Sequence, residues 1–208
     1  MRTFGPVTLA GRRVRLEPLS LDHVPALVAA ASESRATYGF TFVPVDAAAM
    51  AGYVRVALAD QERGLAIPFA TVDREDDHVV GSTRFGNIER WLSQPAAAAP
   101  PPSAVPHAVE IGWTWLAARA QRTAVNTEAK LLMLGHAFDE WGVERVSLRT
   151  DARNLRSRAA IERLGARLDG VLRAHMPAYD GGVRDTACYS ILRSEWPEVK
   201  ARLAARAC

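Results

Sequence analysis

Glu110 stands between Val109 and Ile111 in the run Val109-Glu110-Ile111-Gly112-Trp113-Thr114-Trp115-Leu116, whose β-branched and aromatic residues read as a strand. Strand alternation puts Glu110 on one face with Gly112 and Thr114, away from its apolar neighbours. A carboxylate partly desolvated at such a place has a raised pKa, which suits a general base for an amine. If that face is fully solvated, the same residue is a surface glutamate.

A polar bend, Arg119 to Asn126, leads from this strand into a helix from about Thr127 to Trp141. The first turn of a helix carries unpaired N–H groups and a positive dipole end, an anion site in waiting. Small residues at 123, 124 and 127 would let a pyrophosphate come close, although the same residues also make an ordinary strand-to-helix turn. Further on, Asn154 and Ser157 open a second helix and are of the types that cap helices. Two successive strand–helix units in one sheet bring both helix starts to the same edge, where one ligand can touch both.

Other chemistries find no support. The five histidines, at 23, 78, 107, 136 and 175, have no ligand-like spacing, and Cys188 and Cys208 make no zinc pattern, so no metal is assigned. Neither a Gly-x-Ser-x-Gly elbow nor a Gly-x-x-x-x-Gly-Lys nucleotide loop occurs. The tryptophans and phenylalanines fall on strand or helix stripes and are expected in the core.

The elements that must position Glu110 follow from pattern and punctuation. Residues 13–18 alternate as a strand stopped by Pro18, and 22–34 are helical. Tyr38 to Pro44 is an aromatic loop, and Asp46 caps a helix to about Arg63 with Gly64 behind it. Ile67 to Val72 and Val79 to Ile88 make a hairpin. The proline- and alanine-rich residues 94–106 read as an elaborated loop inside one domain. Leu131, Leu134, Phe138 and Trp141 form one apolar stripe, and Gly142 ends that helix. Val143 to Thr150 is a strand, Asn154 to Leu164 a helix stopped by Gly165, and two strands close the chain around Tyr179-Asp180-Gly181-Gly182. The sum is an α+β fold on a mixed sheet.

Length and composition bound the function classes. With 208 residues, 49% hydrophobic and 24% charged, the chain is neither disordered, collagenous nor a disulfide scaffold. It has no apolar run long enough for a membrane span or a signal peptide, so a cytoplasmic protein without membrane partners is expected. Of 26 basic residues only Lys130 and Lys200 are lysines. The arginines are scattered, without the basic block of a nucleic-acid arm, and no nucleic-acid partner is expected.

Several short words in order carry a resemblance over nearly the whole chain: Glu110-Ile111-Gly112-Trp113, Asn126-Thr127-Glu128-Ala129-Lys130, Asn154-Leu155-Arg156-Ser157 and Glu162-Arg163-Leu164-Gly165. With Asp180-Gly181-Gly182-Val183-Arg184-Asp185 and Tyr189-Ser190-Ile191-Leu192, the chain resembles the GNAT acyltransferases, and most closely the Rim-type branch that modifies ribosomal-protein N-termini. The resemblance implies a single GNAT-like domain over 1–208, with a mostly antiparallel sheet of about seven strands and a splayed central pair. It implies acetyl-coenzyme A, or another acyl donor such as succinyl-coenzyme A, and a primary amine acceptor, a protein N-terminus or a small molecule. By the same resemblance Trp115 and Leu116 border the pantetheine, and Gln121, Arg122, Thr123, Ala124, Val125, Asn126 and Thr127 hold the pyrophosphate. The family's usual glycines are replaced there by Ala124 and Asn126, of which asparagine tolerates positive φ.

The resemblance makes Glu110 the base that frees the amine and Ser157 the proton donor to the thiolate, at a spacing where Ile161 replaces a frequent tyrosine. Asn154 is expected at the pantetheine arm or as an organiser of its helix. Tyr38, Phe40, Phe42 and Tyr179 are expected to wall the acceptor site. A homodimer is the family habit. The missing glycines and tyrosine leave a non-catalytic acyl-coenzyme A sensor as the alternative.

Overall fold

The computed structural model describes residues 4–91 and 104–207; of the 94–106 loop, all but the last three residues lie outside them. β1 (Leu9–Ala10) and β2 (Val14–Pro18) form the first hairpin. Pro18, which has no N–H to give a ladder, is its last residue. α1 (Val24–Ser32) follows a short tighter turn, and α2 (Ala47–Glu62) begins where the Asp46 carboxylate accepts the Ala49 N–H at 2.8 Å. β3 (Ile67–Asp73) and β4 (His78–Glu89) are the expected hairpin.

β5 (Ala108–Leu116), α3 (Ala124–Gly135), β6 (Arg145–Asp151) and α4 (Leu155–Leu164) give strand–helix order twice. β7 (Arg167–Pro177), β8 (Val183–Leu192) and α5 (Trp196–Ala207) complete the chain. α3 continues to Trp141 in a wider helical turn and stops at Gly142, whose φ of 71° is left-handed, as the sequence predicts. Gly165 ends α4 in the same way, at φ 100°.

Among the described residues the sheet order is β1-β2-β3-β4-β5-β6-β8-β7, and only β5 and β6 are parallel neighbours. The described residues give it eight strands where about seven are expected, and the short β1 accounts for the addition. β5 and β6 pair from Ala108 to Glu110 against Arg145 to Ser147 and then diverge, running on to Leu116 and Asp151 with no pairing between them. That divergence is the splayed central pair. It leaves backbone N–H and C=O groups of β5 facing a gap, which an extended amide-bearing ligand can satisfy.

Helices cover both faces. Phe85 of β4 packs on Trp141 at 4.8 Å between ring centroids, and next to it in sequence Arg84 packs on Tyr53 of α2, so α3 and α2 lie on opposite sides. Buried Glu128 ties α3 to the first hairpin: its carboxylate accepts the N–H groups of Arg12, Arg13 and Val14 at 2.7–2.9 Å. Gly11 has no side chain to spare there, because a Cβ would lie 2.5 Å from that carboxylate.

Candidate active site

Glu110 is the last residue of β5 to pair with β6, so its carboxyl sits where the gap begins. It is 6% exposed. The Asn87 side-chain amide donates to Oε2 at 2.7 Å, and Arg149 Nε of β6 approaches the same oxygen at 3.2 Å. Burial pushes the Glu110 carboxyl above its usual value; the Asn87 bond and the charges of Arg149, Arg184 and His175 pull the other way without cancelling it. A carboxylate held in that balance keeps two formal donors and still has a proton affinity useful to an amine.

The pattern reading of its face is half right. Gly112 does share it, since a Cβ there would lie 3.0 Å from Glu110 Oε1. Thr114 does not. Between Arg84 and Ser82 of β4, β5 carries one extra residue, and Trp113 absorbs the bulge with φ of 50°. Thr114 is thereby turned to the α3 side, where it meets Thr83 and Lys130. The Trp113 ring swings over bare Gly86, whose Cβ would fall 2.4 Å from it. Trp113 is 43% exposed and Trp91 is exposed too, so two tryptophans expected in the core lie outside it, while Phe40 and Phe42 are exposed on the loop expected at the acceptor.

A cavity of about 520 Å³ opens on the α2 face, and two of its lining residues, Asn87 and Arg149, contact Glu110. It is lined by Arg84, Asn87, Trp113 and Arg149, with Asp60 at the end of α2 and Glu89 at the end of β4. Sequence reading missed this group. A hint was available: Arg84, like Glu110, is a charge in the middle of a strand with an apolar neighbour beside it, and a charge buried there needs a partner or a purpose.

At the far end of the gap the bend differs from expectation. α3 starts at Ala124, earlier than Thr127, with Thr123 as its cap. Thr123 Oγ1 accepts the Val125 N–H at 3.2 Å and donates to the Ala120 carbonyl at 2.8 Å. Ala124, Val125, Asn126 and Thr127 therefore form the first turn itself, and Asn126 does not take positive φ. Exposed Arg122 does, at 63°. Val125 is fully buried and can meet a ligand only through its backbone.

Gln121 Nε2 donates to the Leu116 carbonyl at 2.8 Å, and its Oε1 accepts from Arg156 in the first turn of α4. The starts of α3 and α4 are joined at one edge of the sheet. Asn154 caps α4 by accepting the Ser157 N–H at 3.0 Å, so its local role is organising the helix start. Ser157 lies half-buried in that first turn.

The predicted acceptor walls meet across the mouth. Phe42 and Tyr179 pack edge to face at 6.5 Å, and Arg153 lies 5.5 Å from the Phe40 ring while pairing with Asp151 and Asp180, each at 2.8 Å. Tyr38 faces elsewhere. It is buried against Trp115 at 6.3 Å, and its hydroxyl donates to the Leu116 carbonyl at 3.0 Å. Trp115 is likewise buried, with an indole N–H that finds no acceptor among the described residues.

No helix among the described residues is long and apolar enough to cross a membrane. Comparison with known proteins agrees with the geometry. The family description "Acetyltransferase (GNAT) domain" matches residues 13–167. A GCN5-related N-acetyltransferase from Brucella melitensis superposes with a TM-score of 0.83 at 28% identity, over 100% of this chain and 89% of that one. Mycobacterium smegmatis RimJ, solved with coenzyme A disulfide, superposes at 0.77 with 21% identity, covering 99% and 97%. RimL, described as a ribosomal L7/L12 alpha-N-protein acetyltransferase, reaches 0.71 at 17% identity, covering 89% and 98%; at such identities the likeness is one of fold. No curated protein sequence matches the chain. A matched family over most of the length, with the same fold and a buried glutamate at the parting of two strands, makes this chain a member of the GNAT family of N-acetyltransferases.

Proposed function

We propose that the protein transfers an acyl group, acetyl by preference, from acyl-coenzyme A to a primary amine by direct attack, with Glu110 as general base. The observation that carries this is the place of Glu110: buried, raised in pKa, and at the point where β5 and β6 part. An ammonium has no lone pair, so Glu110 takes one proton, directly or through water. The freed nitrogen then attacks the thioester carbonyl, and the carbon–sulfur bond breaks as the amide forms.

The donor lies along the free edge of β5 at Trp115 and Leu116. Its pyrophosphate rests on the first turn of α3, from Gln121 to Thr127, with Arg122 adding a charged donor. Asn154 holds the start of α4 against the pantetheine arm, and Ser157 returns a proton to the departing thiolate. A thiol pKa near 8.5 makes that last need modest. Phe40, Phe42 and Tyr179 close over the acceptor, with Tyr38 behind them fixing the end of the donor strand. In this reading residues 1–208 act as one cytoplasmic domain.

The test is release of coenzyme A thiol from acetyl-coenzyme A on a panel of amines. Glu110→Gln should lower turnover by roughly 10²–10⁴ while leaving donor binding in place. Wild-type turnover in that variant at saturating substrates removes Glu110 from the role. Donor binding without turnover on any amine would favour the sensor, the reading to which the glycine-free bend lends itself.

A further inference from the structure

The cavity beside Glu110 contains a cation with little to do. Arg84 is 3% exposed, and its guanidinium lies between the rings of Tyr53 and Trp113, 5.1 Å from each. Its nearest carboxylate is Asp60 at 3.8 Å, and Asp60 is held more closely by Arg63, at 2.6 Å. Arg84 Nε is buried with no hydrogen-bond partner among the described residues. A guanidinium fixed between aromatic faces and left short of acceptors is poised to take a carboxylate by its fork of N–H groups.

The other charges on the wall leave this cation with only its loose pairing to Asp60. Glu89 is engaged by Arg145 at 2.8 Å and by the Trp91 indole N–H at 3.1 Å. Arg149 lines the same cavity while touching Glu110, and Arg184 and His175 act on Glu110 from the β7–β8 side. Around the atom that must accept a proton from an amine, arginines therefore outnumber free carboxylates. Such a site works against a polyamine or any other polycation. It suits an amine that brings its own negative group.

We infer that the acceptor is a small amine carrying a carboxylate, its carboxylate bound by Arg84 in the cavity beside Glu110 and its amino group presented to Glu110. The inference rests on the acyltransferase reading of the same site and narrows its acceptor. The cavity's volume is that of a small-molecule site.

The probe is a series of amino acids with amine and carboxylate one to four carbons apart, each compared with its primary amide and with the diamine of equal length. Over the series, kcat/KM should favour the carboxylate over its amide by about ten- to a hundredfold, the range of a charged hydrogen-bonded contact. Diamines should be the poorest. Arg84→Gln should collapse the carboxylate-to-amide ratio toward one, and Arg84→Lys should restore part of it. Coenzyme A binding by calorimetry reports whether each variant is folded.

Equal rates for carboxylate and amide, a preference for diamines, or an unchanged ratio in a folded Arg84→Gln protein overturns the inference while leaving the acyltransferase standing. If no acceptor turns over, calorimetric binding of the same series to the wild-type protein decides. Carboxylate-selective binding lost in Arg84→Gln supports the site, and its absence overturns it.

Discussion

Asn87 donates its side-chain amide to Glu110 Oε2 at 2.7 Å from a backbone that is itself left-handed, with φ of 44°. β4 is irregular between Gly86 and Glu89, and this irregularity turns the amide toward the carboxyl. Asparagine is among the few side-chain-bearing residues that accept such a φ at low cost. One residue thus serves the strand's geometry and the base's proton affinity together.

Removing the amide without straining the backbone separates the two roles. Asn87→Gly keeps the left-handed φ and takes away a bond that lowers the Glu110 pKa. The acid limb of kcat/KM should move to higher pH. Activity should fall most on the acid side and recover as pH rises. A pH profile unchanged in its acid limb would show that Asn87 does not act on the base.

Glu110 should cost the fold something at neutral pH. Its carboxyl pKa is raised above the usual 4.5 in the folded protein, so the unfolded chain loses that proton first as pH rises. Stability contributed by the protonated group is present below about pH 4.5 and is lost through the folded pKa. Glu110→Gln, nearly the same shape, should therefore unfold at an equal or higher temperature at pH 8 while losing activity. A clear drop in melting temperature would mark Glu110 as a structural ion-pair partner of Arg149 instead.

Lys130 offers an independent check on the interior. It is wholly buried beneath the β5 bulge, donating to Thr114 Oγ1 at 2.6 Å and to Thr83 Oγ1 at 3.0 Å, and burial lowers its pKa from 10.5 to about 7. Between those values the unfolded chain binds the extra proton, so stability rises with pH from about 7 to 10.5. Urea midpoints at pH 7 and pH 9 should show this rise in the wild type and a smaller one in Lys130→Met. Parallel behaviour of the two proteins would mean that the amine stays charged in the fold.

Arg153 clasps the mouth of the site by joining Asp151 at the end of β6, Asp180 in the β7–β8 turn, and the Phe40 ring. Arg153→Met should loosen the aromatic loop and raise KM for the acceptor several-fold. KM for the donor, whose pyrophosphate rests on the start of α3, should change less. Equal increases in both constants would assign Arg153 to general stability.

Most of the frame could be read from local signals. Asp46 and Asn154 announced helix starts through their side chains, and Gly142 and Gly165 announced stops through backbone freedom. Val109 and Ile111 marked the strand that holds Glu110. What stayed hidden depends on contacts between distant residues. The extra residue at Trp113 reverses the face of Thr114, and alternation cannot register an insertion without its partner strand. The positive φ belongs to Arg122, a residue type that gives no warning of it, rather than to Asn126. Asn87 of β4 and Arg149 of β6 reach Glu110, with Arg84 lining the same cavity, and only pairing of those strands with β5 brings them together.

The most direct measurement is calorimetric titration of the protein with acetyl-coenzyme A, set beside succinyl- and free coenzyme A. The account predicts one donor bound per chain, all three ligands sharing the pyrophosphate contribution of the α3 start and acetyl-coenzyme A binding at least as well as succinyl-coenzyme A. No heat of binding at millimolar ligand would mean that a bend built on Arg122, Thr123 and Ala124 holds no pyrophosphate, and the acyl-transfer mechanism would fall with it.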